Sequence, residues 1–238
     1  MIKSKYFILI PTFQAFEALN ILIPRLLEYV TPQQILVIDD GSTDWISPSS
    51  SIPFEEKYPV NIIKHPNNQG KAKALKTGFL WGIEQDFDWA ITMDADGQHS
   101  ADDIRSFIKV IEKNENNQLG AILGVRDFNP MTMPWPRIFS NKTTTRILSS
   151  LAKTSLWDSQ CGYRAYFLPA LKNSHAMTVK SQGFQWESEV LVRLAWTGFQ
   201  FSKVSVQTIY GNESSNISHL SDTTKFLKLW WQLKKERK

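Results

Sequence analysis

A single cysteine, Cys161, stands in this chain of 238 residues, so no internal disulfide can form, and a reducing compartment suits it. Long apolar runs are missing too: nothing approaches the ~20 residues that a membrane-spanning helix needs. The opening Met1-Ile2-Lys3-Ser4-Lys5 leads into a strand without a cleavage-site pattern. The expected location is cytoplasmic, either free or peripheral on the inner face of the membrane. Both common nucleotide fingerprints are absent. There is no Gly-x-Gly-x-x-Gly, and Gly70-Lys71 lacks the upstream glycine and the following hydroxyl of a Walker loop. No internal repeat, low-complexity tract or clear linker divides the chain, which predicts one domain. With 42% hydrophobic and 21% charged residues, it is ordinary globular material with enough length for a sizeable core. The net charge of +4 favours anionic partners. Basic residues gather only at the end (Lys225, Lys228, Lys234, Lys235, Arg237, Lys238), so no nucleic-acid groove is expected.

What is present centres on Ile91-Thr92-Met93-Asp94-Ala95-Asp96-Gly97-Gln98-His99. An apolar strand, Trp89 to Met93, delivers two carboxylates one residue apart, then an amide and an imidazole. Paired acids repel, and burying them is costly unless a cation neutralises them. Mg²⁺ or Mn²⁺, bridging carboxylates to substrate phosphates, would do so. A plain Asp96-Gly97 turn with Ser100 or Asp102 capping the next helix is the alternative.

Upstream, Tyr6–Ile10 reads as a strand stopped by Pro11, and Ala15 to Tyr29 as a helix kinked or restarted at Pro24. Ile35–Ile38 is a second strand, ending in Asp39-Asp40-Gly41-Ser42. Strand, helix, strand opens a parallel α/β sheet, whose ligands sit outside the strands' carboxyl ends. Ser47 to Pro59 reads as loop and Val60–Ile63 as a third strand. Gly70 and Lys71 then open a helix whose N–H groups and dipole could receive a phosphate. Further on come a helix over 101–113, a strand over 120–124 ending at Arg126, and an irregular loop over 128–136, a candidate lid. A helix over 138–153, strand-like Ala165–Leu168, a helix after Glu189 and a strand over 199–206 complete the pattern.

Taken in order, Pro11-Thr12-Phe13, Asp39-Asp40-Gly41-Ser42, Asn67 to Lys71 and Asp94 to His99 resemble the inverting family 2 glycosyltransferases of GT-A fold. Gly124-Val125-Arg126, the Asp158–Arg164 run and Glu187/Glu189 look more narrowly like the dolichol-phosphate mannose synthase and polyprenyl-phosphate sugar synthase branch. The resemblance spans about residues 6 to 215. It implies a Rossmann-like, mostly parallel sheet flanked by helices, with a catalytic domain over 1–221. It implies a metal on Asp94, Asp96 and Gln98, and a UDP- or GDP-linked sugar lined by Pro11, Thr12, Phe13, Asp39, Asp40, Gly70, Lys71, Asp94 and Ala95. Arg126 and Arg137 would face phosphate, of the donor or of a lipid acceptor, and Glu187 or Glu189 fills the family's acidic slot. A lipid-phosphate acceptor needs no general base; a glycan or alcohol hydroxyl does, with Asp158 or Glu187 as candidates. The alternative role for Asp158 is an Asx-turn that shapes its loop, and for Arg126 and Arg137 a structural ion pair. One departure stands out: Pro11-Thr12-Phe13-Gln14-Ala15 replaces the family's usual Pro-x-Tyr-Asn-Glu.

Residues 222–238 read as a basic amphipathic helix with Phe226, Leu229, Trp230 and Leu233 on one face. Either that face enters a membrane interface or it packs on the domain. Two other function classes are compatible with paired carboxylates on an α/β fold: a nucleotidyltransferase, and a sugar-nucleotide-binding module without catalysis.

Overall fold

The computed structural model describes residues 4–44, 54–114, 116–131, 133–179, 183–209 and 229–236. Its elements are β1 (Tyr6–Thr12), α1 (Phe16–Leu26), β2 (Ile35–Asp39), α2 (Phe54–Lys57), β3 (Asn61–Lys64), α3 (Lys71–Glu84) and β4 (Trp89–Thr92). There follow α4 (Ile104–Lys113), β5 (Leu119–Arg126), α5 (Trp135–Ala152), β6 (Arg164–Phe167), α6 (Leu168–Asn173), α7 (Phe184–Trp196) and β7 (Gln200–Val206). A final helix, α8, covers residues 229–236. One seven-stranded sheet runs β3-β2-β1-β4-β6-β5-β7. Pairs among β1 to β4 are parallel, as is β5 with β7, whereas β6 is antiparallel to both β4 and β5.

The central strands are apolar throughout because helices cover both faces: Phe7 to Ile10, Ile35 to Ile38 and Trp89 to Ile91 are wholly buried. On α3, Gly78 and Gly82 let the helix backbone press onto Leu9 and Phe7, whose side chains occupy the space a Cβ would take. Pro11 does not stop β1, which continues to Thr12. Pairing with β4 ends at Leu9 while pairing with β2 runs on to Thr12 and Asp39, so Pro11 is held on one side only. Pro24 likewise does not restart α1, which runs through it; Pro24 lies in the last turn. The Asn20 carbonyl that a residue-24 N–H would have served accepts the Tyr58 hydroxyl at 3.3 Å instead.

Other boundaries differ from expectation. Residues 45–53 of the expected 47–59 loop lie outside the described residues, but Phe54–Lys57 forms a helical turn that packs Phe54 against Phe16 and Tyr58. Helix α5 begins at Trp135, inside the stretch expected to be irregular, since Pro134 and Pro136 fit the first helical positions. Helix α7 begins at Phe184, which places both Glu187 and Glu189 within it. In α8, Leu229 and Leu233 are buried in the core, so these residues of the tail's apolar face pack on the domain. Phe226 and the rest of 222–228 lie outside the described residues. Among the described residues no helix is long and apolar enough to cross a membrane.

Candidate active site

The sheet order itself makes the site. From β1 the chain moves outward to β2 and β3, then crosses back so that β4 lies on the other side of β1. A crevice opens at such a reversal, outside the strands' carboxyl ends. Asp94 and Asp96 follow β4 there, and Asp96 lines a cleft with Phe13, the residue after β1. Because β6 runs the opposite way, the loop that enters it faces the same edge. Asp158, Gly162 and Arg164 arrive by that loop, and Arg126 from the end of β5.

Asp40 sets the start of α3. Its carboxylate accepts the N–H groups of Gln69 at 3.0 Å and Gly70 at 2.7 Å, and lies 2.7 Å from His65 Nδ1. Gly70, at φ +87°, then turns the chain so that Lys71 opens the helix. Lys71 Nζ sits 2.6 Å from Asp94 Oδ1 and 3.4 Å from Glu187 Oε2. Glu187 comes from the first turn of α7, which meets α3 where Trp186 stacks on Phe79. Its other oxygen faces Arg164 Nη1 at 3.7 Å, and Arg164 donates to the Tyr166 hydroxyl and the Ser159 carbonyl. Burial disfavours the Lys71 ammonium, yet the Asp94 and Glu187 charges prevail and hold its pKa above the ordinary lysine range. Burial likewise opposes the Asp94 carboxylate, but Lys71, chiefly, keeps its pKa below the usual range. Gly162 lies directly beneath this pair: a Cβ there would stand 2.6 Å from Asp94 Oδ2 and 3.1 Å from Lys71 Nζ.

A second pair lies alongside. Arg126 donates from Nε to Asp158 Oδ2 at 2.8 Å and from Nη2 to Oδ1 at 3.0 Å, a fork-to-carboxylate geometry. Asp158 is wholly buried and also accepts the Gln160 N–H at 3.1 Å. Neighbouring Cys161 is buried, which pushes its thiol up to about 12 and leaves it inert at neutral pH. Asp96 is exposed, with one oxygen accepting the Gln98 N–H at 3.0 Å. His99 is buried against Tyr163; burial lowers its pKa against the pull of Asp94 and Asp96. A cleft of about 810 Å³ opens between α1 and the segment from Asp96 to Ala101, with Phe13 and Arg25 on its rim. That volume suits a nucleotide-sized ligand. The cavity between the end of α5 and β7, about 660 Å³, contains none of these residues.

Among the described residues no three His, Cys, Asp or Glu side chains cluster into a closed metal cage. Asp94, Asp96 and Gln98 nonetheless follow one strand end and offer only oxygen ligands. Such a set fits a hard divalent cation that completes its coordination from substrate phosphates.

Residues 7–174 match the family model described as Glycosyl transferase family 2. The chain belongs to this family. The glycosyltransferase is 26% identical over 216 residues to the polyprenol monophosphomannose synthase of Mycolicibacterium smegmatis, covering 90% of this chain and 80% of that one. To the undecaprenyl-phosphate mannosyltransferase of Micrococcus luteus it is 26% identical over 204 residues, covering 83% and 81%. To the dolichol-phosphate mannosyltransferase of Saccharomyces cerevisiae it is 24% identical over 200 residues, covering 80% and 71%. Among solved structures, the glucosyl-3-phosphoglycerate synthase of Mycobacterium tuberculosis with Mn²⁺, UDP-glucose and phosphoglyceric acid has the same GT-A fold. The TM-score is 0.65 at 13% identity, covering 97% of this chain and 79% of that one.

In this glycosyltransferase Glu187 and Glu189 part company. Glu187 reaches Lys71 and Arg164, whereas Glu189 is buried with Arg193 at 2.7 Å, and Arg193 also holds Glu236 of α8. Asp158, a candidate base on sequence grounds, is instead the partner of Arg126. Asp40, expected at the nucleoside, is engaged with the Gln69 and Gly70 N–H groups and His65; Asp39, also buried, accepts the Ser42 N–H at 2.9 Å. Pro11 and Thr12 are buried at the end of β1, Phe13 is half exposed, and Ala95 is buried between the two acids. Arg137 sits in the first turn of α5, outside the ion-pair network of the described residues. Arg164 and His65 had no role assigned from sequence. An arginine opening an otherwise apolar strand was the available signal for the first, since a buried cation demands partners; nothing in the sequence pointed to the second.

Proposed function

We propose that this glycosyltransferase transfers a sugar, with inversion, from a UDP- or GDP-linked donor to the phosphate of a polyprenyl or dolichyl lipid. Asp94, Asp96 and Gln98 would hold the Mg²⁺ or Mn²⁺ on the donor diphosphate, with Pro11, Thr12, Phe13, Asp39, Gly70 and Lys71 lining the nucleotide. The cation supplies charge stabilisation for the departing diphosphate. Lys71 and Arg126 add positive charge at the same edge, where negative charge develops on the leaving group.

The observation that carries the choice of acceptor is the state of the two candidate bases. Asp158 is fully buried in its bidentate pair with Arg126, and Glu187 faces both Lys71 and Arg164. Both carboxylates already hold cationic partners, and a general base must instead stand within hydrogen-bond reach of the substrate proton. A phosphate acceptor, already ionised, needs none and is attracted by the same cations. The names of the Mycolicibacterium and Micrococcus relatives agree with a polyprenyl-type acceptor. So does an exposed apolar face at the start of α5, where Trp135 and Phe139 lie one turn apart and Lys142 follows, with Met131 exposed in the loop that precedes the helix. Lys142 and Arg126 both lie over the Phe128 ring, so this face adjoins the Arg126 side of the crevice.

The test offers UDP- and GDP-linked hexoses together with polyprenyl phosphate in vesicles, or with soluble sugars and alcohols, to wild type and Asp96→Ala. Lipid-linked sugar with stoichiometric nucleoside diphosphate, lost in the variant, is the expected result. Transfer to hydroxyl acceptors alone would overturn the lipid-phosphate assignment.

A further inference from the structure

Lys71 touches the first acid of the proposed metal pair at hydrogen-bond distance. Its ammonium is 2.6 Å from Asp94 Oδ1, over the bare backbone of Gly162, with Glu187 behind it at 3.4 Å. Its root is fixed, because the carboxylate of Asp40 clamps the N–H groups of Gln69 and Gly70 immediately before it. The tip lies on four methylenes and can swing while the root stays. The pair Asp94 and Asp96 carries charge that a cation must balance, and in this arrangement Lys71 balances half of it.

We infer that Lys71 is a tethered counter-ion that holds the metal's place on Asp94 and is drawn off it by the donor diphosphate, so that metal and nucleotide bind as a cooperative pair. This rests on the reading of Asp94 and Asp96 as metal ligands. A divalent ion arriving alone must compete with an ammonium already at hydrogen-bond distance and repels it. A diphosphate changes that balance: its oxygens offer the ammonium a new anionic partner and offer the ion additional ligands. By linkage, whatever factor the nucleotide adds to metal affinity the metal adds to nucleotide affinity, typically about 5- to 150-fold. Glu187 gives the lysine a second anchor, so release from Asp94 does not leave the ammonium without a carboxylate partner.

Mn²⁺ binding by the full chain, followed through the electron paramagnetic resonance of free Mn²⁺, tests this without reference to activity. In wild type, UDP or GDP should tighten Mn²⁺ binding by a factor in that range. Lys71→Met should bind Mn²⁺ alone about 5- to 150-fold more tightly than wild type and gain little from nucleotide, whereas Lys71→Arg should resemble wild type. Equal Mn²⁺ affinity in wild type with and without either nucleotide overturns the inference, even if Lys71→Met does not fold. So does a folded Lys71→Met that binds Mn²⁺ no more tightly than wild type while Asp96→Ala abolishes binding. If Asp96→Ala binds Mn²⁺ like wild type, the metal assignment itself fails, which is a distinguishable result.

Discussion

At the scale of single residues, the candidate site depends on one missing side chain. Gly162 underlies Asp94 and Lys71 so closely that Gly162→Ala must push the carboxylate, the ammonium or both. Those atoms are side-chain ends, which can move, so the fold should survive with a nearly unchanged Tm. The geometry at the reacting centre should not, and displacement by about 1 Å commonly costs on the order of 100-fold in rate. A loss of that size in kcat/KM, with an unaltered melting curve, is expected; full activity would mean that the Asp94–Lys71 arrangement is not used. The residues of this site were unevenly legible in the sequence. Asp94 and Asp96 declared themselves because acids at the end of an apolar strand need an explanation. Asp40 was visible as a strand-end acid, but its clamp on Gln69 and Gly70 was not, since the partner His65 lies 25 positions away with no spacing signal. Glu187 and Glu189 looked interchangeable only while the helix was taken to start after them. On a helix two positions are about 200° apart, and one glutamate accordingly faces Lys71 while the other faces Arg193.

At the scale of elements, each strand of the sheet was readable as a strand, but the direction of β6 was not. Buried parallel strands are continuous apolar runs, and β1, β2 and β4 announce themselves so, while β3, partly buried at the sheet edge, shows only Ile62 and Ile63. The reversal of β6 has no such mark, because it is joined to neither partner by a tight hairpin and its direction is decided by tertiary pairing alone. Helix α5 hid its first turn behind Pro134 and Pro136, and with it an exposed apolar face. On it Trp135 and Phe139 are 68% and 73% exposed, and Met131, in the loop just before it, is 90% exposed. Aromatic side chains with a neighbouring lysine suit the headgroup boundary of an anionic bilayer. Replacing all three with Gln should therefore reduce co-sedimentation with anionic vesicles while leaving nucleotide binding intact. Unchanged sedimentation would remove α5 as the membrane-facing element.

At the scale of the whole molecule, the end of the chain is part of the fold that carries the site. The tail was open to two readings on sequence grounds, a membrane helix or a packed one, because amphipathic periodicity does not say what the apolar face meets. In α8 that face supplies Leu229 and Leu233 to the core, and Glu236 reaches 2.7 Å from Arg193, which in turn holds the buried Glu189. α7 thus bears Glu187 on the crevice side and is braced by α8 on the other. Ending the chain after Ser221 would uncover the places of two buried leucines, each worth roughly 1.5–3 kcal/mol, and take one carboxylate from Arg193. For a protein of this length 1 kcal/mol moves Tm by about 2–4 °C, so thermal denaturation of the truncated chain should shift down by roughly 6 °C or more. Metal and nucleotide affinities should weaken along with it, since Glu187 loses the support behind its helix. A truncated chain that melts with wild type would show that α8 does not brace the domain, and would return the tail to the membrane-facing alternative.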